Sequence, residues 1–343
     1  MGKKVLFISP KVGGFNTVIQ KELERQKYEV DFIEEYFVSN DPYFVRNKKV
    51  YSDDYINRFN EKLKDFWTNK LSEAQYDKIY DILFVIDGRG LHRCIFDILK
   101  QRNKNLYSVN YLYDTIRSIY RFDRQFDNFD RVITYDRQDQ QNYNLEFLPI
   151  CWNKQSAKIV NEFKIFGMGA FFPERNKLFK YVLGISKACR YKSFIKLYYP
   201  PVKFYLLKYF ANIFLRKKKY LSPKLYFSDY ILHRFMANDK FNDLLSKSEV
   251  ILDSIDPRQD GLTARLTWAL GAEKKIITDN RFVEDYDFFS KEQIFVVKDF
   301  SKATTDKLIS FLDHPFSMPQ DIRNKILKIR IDNWVKFIMN EEN

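Results

Sequence analysis

Residues 249–280, EVILDSIDPRQDGLTARLTWALGAEKKIITDN, decide how the rest of the chain is read. Residues 249–254 form a short apolar run suited to a buried strand, and Leu262, Leu266, Ala269 and Leu270 then recur at helical spacing. Residues 275–278 read as the next strand. The polar loop between the first strand and the helix, Asp256-Pro257-Arg258-Gln259-Asp260-Gly261, is broken by Pro and Gly. A strand-to-helix junction of this kind aims the N–H groups of the helix's first turn, and its positive dipole end, beyond the carboxyl edge of the sheet. An anion is favoured there. Gly261 allows a ligand close to the backbone, Thr263 offers a hydroxyl, and Arg265 a forked cation that suits phosphate. On these residues alone the plainer reading, a glycine ahead of an ordinary helix, stays open.

Working outward, residues 4–9 form a β-branched and aromatic run ending at Pro10, and Phe15, Val18, Ile19 and Leu23 predict a helix over 15–26. Gly13 and Gly14 fall in the loop between them, where a Rossmann-like domain keeps its ligand loop. There is no G-x-G-x-x-G, which argues against a dinucleotide site. Further strands are expected at 29–34, 81–86, 106–112, 131–135, 164–167, 193–199 and 293–297, with 147–152 closing the first domain. Helices are expected at 55–67, 239–245 and 303–312, with one long amphipathic helix over 321–339. Strands that alternate with helices in this way predict an α/β protein built from βαβ units with parallel sheets, twice over.

Asp87 and Asp114 each fall just past the carboxyl end of a predicted strand, where open α/β sheets place ligands. Each is a candidate general base, or a carboxylate that caps a helix or tightens a turn. His92, one turn beyond Asp87, is either an acceptor-site residue or structural. Asp285-Tyr286-Asp287 is the chain's only D-x-D, a pattern that can hold a divalent cation. Residues 203–215 are apolar with interspersed lysines and lead into Arg216-Lys217-Lys218-Lys219. Such a segment suits peripheral contact with an anionic membrane through 203–219, or a core helix with a solvated basic end.

At 343 residues, with 45% hydrophobic and 17% aromatic side chains, there is material for two domains. Cys94, Cys151 and Cys189 show no C-x-x-C spacing, so neither zinc nor a disulfide framework is indicated and a reducing cytoplasm fits. MGKKVLFISP runs straight into a strand rather than a signal-peptide core. No apolar run approaches the roughly 20 residues needed to cross a bilayer. The expected location is cytoplasmic, at most on the inner face of the cell membrane. A formal net charge of +13 and a pI near 9.3 would steer the chain toward nucleic acid, anionic lipid or nucleotide phosphates. A nucleic-acid-binding protein would carry a basic stripe with interleaved aromatics. The positive residues instead read as spread along the chain except at 216–219, so no nucleic acid is expected as partner.

The string Gln259-x-Gly261-Leu262-Thr263-x-Arg265, followed by Ala269-Leu270-Gly271, Lys274-Lys275-Ile276-Ile277-Thr278 and Asn280, resembles the donor-site segment of bacterial GT-B glycosyltransferases of capsule and lipopolysaccharide biosynthesis. Upstream, Tyr111-Leu112-Tyr113-Asp114-Thr115-Ile116, the segment from Phe129 through Arg131-Val132-Ile133-Thr134-Tyr135-Asp136, and Phe147-Leu148-Pro149 are similar to the pattern closing that family's first domain, in the same order. The resemblance covers most of the chain and is weakest over 190–245. It implies two Rossmann-like domains facing across a cleft: an acceptor-side domain over 1–153, a nucleotide-sugar-binding domain over 154–318, and a C-terminal helix over 319–343 that returns to the first domain.

The activity so implied is transfer of a sugar from a nucleotide-diphosphate donor to a glycan or lipid-linked glycan, without a metal and with no cofactor beyond the donor itself. The donor contacts carried over are Arg175, Gln259, Gly261, Leu262, Thr263, Arg265 and Asn280. For Arg175 a surface arginine paired with Glu174 is the other reading, and Lys275 is set aside because it begins a strand. Gly13 and Gly14 take the acceptor-side loop, and the catalytic candidates are Asp87 ahead of Asp114, with His92. The D-x-D matches the family's tyrosine-aspartate-aromatic signature rather than a metal site. The paired glutamates of many retaining members are absent near Gly261, where Asp260 and Trp268 stand, so the stereochemical course is unassigned. A sugar-nucleotide epimerase of similar fold, a non-catalytic glycan-assembly partner and a basic nucleic-acid-binding protein are the alternatives.

Overall fold

The structure is a computed structural model that describes residues 2–11, 14–36, 42, 51–119, 121–153, 161–215, 220–256 and 258–341. The chain divides into two compact units. The first comprises Met1–Asn153, Arg258–Leu262 and Leu327–Asn343, and the second Lys154–Pro257 and Thr263–Ile326.

In unit 1 the elements run β1 Lys4–Ser9, α1 Phe15–Arg25, β2 Glu29–Glu34, α2 Asp53–Leu71, β3 Ile82–Ile86, α3 Cys94–Arg102, β4 Tyr107–Leu112, β5 Arg131–Thr134, α4 Arg137–Tyr143 and β6 Glu146–Phe147. The six strands form one parallel sheet in the order β2-β1-β3-β4-β5-β6. Val5 to Ile8 and Leu83 to Val85 are fully buried without alternation, the pattern of strands covered on both faces. The strand order reverses between β1 and β3.

In unit 2 the elements continue as β7 Phe163–Ala170, α5 Pro173–Ala188, β8 Ser193–Tyr198, α6 Tyr205–Phe214, α7 Pro223–Tyr226, β9 Ile231–Leu232, α8 Asn238–Ser246, β10 Ser248–Leu252, α9 Ala264–Gly271, β11 Lys275–Thr278, β12 Ile294–Val296, α10 Lys302–Asp313 and α11 Gln320–Leu327, whose last residue counts with unit 1. The sheet is again parallel, in the order β12-β11-β10-β7-β8-β9. Its order reverses between β7 and β10, which pair with Gly167 opposite Leu252. In an open α/β sheet the crevice for a ligand lies at the carboxyl ends of the strands flanking such a reversal.

The helix expected over 321–339 is two helices, α11 and, in unit 1, α12 Ile331–Ile338. The reason lies far away in sequence. Trp152 donates its N–H to Ile329 O at 3.1 Å and accepts from Ile331 N at 2.7 Å, and backbone groups committed to that bridge cannot also serve a continuous helical ladder. α12 then buries Ile331, Trp334, Val335 and Ile338, with the Trp334 indole N–H donating to Pro149 O at 3.1 Å. Near the end of the first domain the strand β6 is only Glu146–Phe147, since Pro149 has no N–H for a ladder.

Candidate functional site

At the reversal of the second sheet, β7 ends in Gly169 and Ala170 and β10 is followed by Asp253. Two arginines converge on this edge. Arg175, in the first turn of α5, donates through Nη1 to Ala170 O at 2.8 Å and through Nη2 to Ser254 O at 2.9 Å. Its guanidinium lies 4.9 Å from the centre of the Phe172 ring. Arg265, in the first turn of α9, donates through Nε to Asp253 Oδ1 at 2.8 Å and through Nη1 to Met168 O. A Cβ placed on Gly169 would stand 3.0 Å from Nη1 of both. Arg175 is 7% exposed, and its guanidinium is pushed down to about 10, first by burial and then by the Arg265 cation, with Asp253 pulling the other way. Two cations held together away from water favour a bound anion.

Asp253 organises this edge. It is fully buried, and its Oδ1 accepts both Arg265 Nε and the Thr263 hydroxyl, each at 2.8 Å. Thr263 in turn caps α9, its Oγ1 accepting Leu266 N at 3.1 Å. Thr263 is therefore a helix cap whose proton points at Asp253. Behind it Asp279 accepts Ser254 Oγ at 2.9 Å and Ile255 N at 3.0 Å, and burial raises its carboxyl. Asn280 is buried and caps the short 3-10 helix Arg281–Asp285, accepting Phe282 N at 3.0 Å. Asp253 was not among the sequence candidates, although it follows a strand as Asp87 and Asp114 do.

The loop Arg258–Leu262 belongs to unit 1, and there Asp136 holds it. Asp136 Oδ2 accepts the N–H of Asp260 at 2.8 Å and that of Gly261 at 3.3 Å, the amide expected to face a phosphate. Arg117 grips Asp136 with two hydrogen bonds of 2.7 and 3.1 Å and donates to Arg258 O at 3.0 Å. A Cβ on Gly261 would meet the Tyr135 ring at 2.4 Å and Tyr135 O at 2.6 Å, so glycine is required here for space. Gln259 is half-buried and Leu262 fully buried.

At the carboxyl edge of the first sheet, Asp87 and Asp114 come together on Arg89. Arg89 Nη2 donates to Asp87 Oδ2 at 3.1 Å and to Asp114 Oδ2. Asp87 Oδ1 also accepts Tyr113 N at 2.7 Å and Asp114 N at 3.2 Å. The Asp87 carboxyl is raised, chiefly by burial and then by Asp114, against the pull of Arg89. Glu35 stands beside it, its Oε1 accepting Gly90 N at 2.7 Å. These contacts serve a turn carboxylate as well as a base.

His92 does not join them: its Nδ1 accepts Cys94 N at 3.1 Å, and burial lowers its pKa with Glu61, Lys64, Arg124 and Asp97 as charged neighbours. Gly14 has φ 74° and precedes α1, while Gly13 lies outside the described residues. Asp285 and Asp287 are exposed and alternate with buried Tyr286 and Phe288. Lys275 is at the opposite edge of its sheet, with Nζ on Phe311 O and His314 O, and burial lowers it to about 8. Among the described residues no helix is long and apolar enough to cross a membrane.

No protein-family model matches this chain, and no curated protein matches it in sequence. Solved structures are similar in fold. An alpha-glucosyltransferase in complex with UDP and a 13-mer DNA containing a central A:G mismatch aligns with a TM-score of 0.56 at 11% identity, covering 99% of this chain and 98% of that one. A UDP-GlcNAc 2-epimerase from Neisseria meningitidis bound to UDP-GlcNAc gives 0.53 at 9% identity, over 98% of each chain. The UDP-GlcNAc 2-epimerase of Methanocaldococcus jannaschii, in complex with UDP-GlcNAc and UDP, gives 0.51 at 12%, over 99% of this chain and 100% of that one. With two six-stranded parallel sheets in one chain, the fold is the α/β GT-B fold of two Rossmann-like units.

Proposed function

We propose that this protein is a glycosyltransferase that moves a sugar from a nucleotide-diphosphate donor to a hydroxyl of a glycan or lipid-linked glycan in surface polysaccharide assembly. The observation that carries this reading is the pair Arg175 and Arg265 beside Gly169 at the reversal of the second sheet. As the bond from sugar to diphosphate breaks, negative charge grows on the leaving group, and cations already held in place lower that barrier without reorganising. Gly169 has no side chain to push the two guanidiniums aside, and Asp253 fixes the direction of Arg265. UDP or UDP-GlcNAc is bound in the three fold relatives, which favours a nucleotide sugar as the donor here. No cofactor is proposed. For an inverting transfer the proposed base is the Asp87–Asp114 pair across Arg89, Asp87 first, because burial and Asp114 raise its carboxyl and so make it a stronger base than an ordinary carboxylate.

A second reading, a sugar-nucleotide epimerase, is favoured by the two epimerases among those relatives, and it uses the same diphosphate contacts. Product analysis separates the two. Incubated with a UDP-sugar panel, a transferase releases UDP in proportion to added acceptor and leaves the sugar on it. An epimerase changes the donor with no acceptor present. A protein that binds donor and does neither overturns the enzymatic reading.

A further inference from the structure

We propose that α6, with Lys203 and Lys208 exposed on the same segment, forms a docking face for an anionic lipid surface, independently of the glycosyl-transfer reading. Residues 175–228 contain no Asp or Glu, yet carry 14 of the 58 Lys and Arg, so this one stretch accounts for the net charge of +13 and the rest of the chain is nearly balanced.

Within it α6 is inside out. Its one buried side chain is Tyr205, whose hydroxyl donates to Leu221 O at 2.5 Å and whose ring stacks on Tyr226 with centroids 3.6 Å apart. Tyr209 packs along the same side. The apolar residues point outward instead: Phe204 is 75%, Leu207 73%, Phe210 61%, Ile213 54% and Phe214 88% exposed. A helix of a water-soluble surface carries the reverse pattern, and a contiguous apolar face of this kind marks an interaction site.

Lys203 and Lys208 are exposed on the same segment, and Arg216-Lys217-Lys218-Lys219, which follow in sequence, lie outside the described residues. Apolar side chains that enter the acyl boundary, with lysines at the level of lipid phosphates, match an anionic bilayer. A second copy of this chain would bring like charges together. Nucleic acid would leave Leu206, Leu207 and Ile213 with no stacking plane to meet.

The test is co-sedimentation of the full chain with vesicles of phosphatidylcholine alone and of phosphatidylcholine mixed with phosphatidylglycerol. Wild type is expected to partition onto the mixed vesicles at least about tenfold more strongly. Lys203→Glu/Lys208→Glu and Leu207→Ser/Phe210→Ser/Phe214→Ser should each lose about tenfold or more at an unchanged melting temperature. Should the triple variant melt low, Phe214→Ser alone, at the most exposed position, takes its place. No binding to either vesicle overturns the proposal, as does equal binding by the variants. So does a concentration-dependent dimer dissolved by the same substitutions, or capture of single-stranded nucleic acid in preference to the mixed vesicles.

Discussion

Arg175 on α5 and Arg265 on α9 bring their Nη1 atoms to one point, each 3.0 Å from where a Cβ of Gly169 would stand. Any side chain at that position therefore pushes on both cations at once. Gly169→Val should lower the affinity for UDP about tenfold or more while leaving the melting temperature within a few degrees, because Gly169 is the half-buried, next-to-last residue of β7. Isothermal titration measures the first quantity and a thermal melt the second. Unchanged affinity would remove Gly169 from the site.

Asp253 ties Thr263 and Arg265 to the end of β10 through a single oxygen. Removing one partner of a buried ion pair leaves the other charge unmatched, which costs about 3–5 kcal/mol. Asp253→Ala should thus lower the stability measured by urea unfolding by about 3 kcal/mol, and Thr263→Ala by about 1 kcal/mol as a lost helix cap. A loss at Asp253 no larger than that at Thr263 would show that the Arg265 pair contributes little.

Gly261 and Asp136 hold the same loop in unit 1, one by its lack of bulk and the other by accepting two N–H groups. Gly261→Ala forces overlap with Tyr135 and should cost about 1–3 kcal/mol. Asp136→Ala strands both amides, leaves Arg117 only its weaker pairs with Asp139 and Asp260 at 3.3 Å each, and should cost at least as much. Since both substitutions release one loop, the double variant is expected to lose less than the sum. Full additivity in denaturant midpoints would mean that the two act separately.

Glu35 is 2% exposed, and burial first, then Asp87, lifts its carboxyl from 4.5 to about 8. The unfolded chain releases this proton near the lower value and the folded chain holds it to the higher. Across that window the folded state binds more protons, so its stability falls as pH rises. Glu35→Gln keeps an acceptor for Gly90 N and has no proton to lose. The stability of this variant relative to wild type should therefore grow from pH 5 to pH 8, the window the two values define, by about 1 kcal/mol per pH unit. Urea midpoints across that range measure it, and a flat difference would show that Glu35 does not titrate there.

Where local sequence decides structure, it can be read directly. β1, β2 and β11 are bounded in the sequence where they are bounded in the structure, because each is an apolar or β-branched run closed off by proline or polar residues. The placement of Thr263 and Arg265 at the start of α9 is legible for the same reason, both lying within one turn of the loop that marks the helix start. What is not legible depends on partners far away in the chain. The helical spacing of Ile326, Ile329, Trp334 and Ile338 runs straight through a break that Trp152 imposes. The grip of Asp136 on the Gly261 amide joins residues 125 positions apart. The meeting of Arg175 with Arg265 depends on the strand order that sets β7 beside β10. Charge is a different case: counted as basic residues it reads as dispersed, while the absence of acids over 175–228 singles out one segment.

The central claim, a diphosphate site on Arg175 and Arg265, is tested most directly by thermal unfolding of wild type and Arg265→Ala with and without UDP. At 100 times its dissociation constant, UDP should add about 2.7 kcal/mol to wild type, seen as a raised midpoint, and nothing measurable to Arg265→Ala at the same concentration. No rise in wild type with UDP or any other nucleoside diphosphate, or an equal rise in both proteins, would contradict the account.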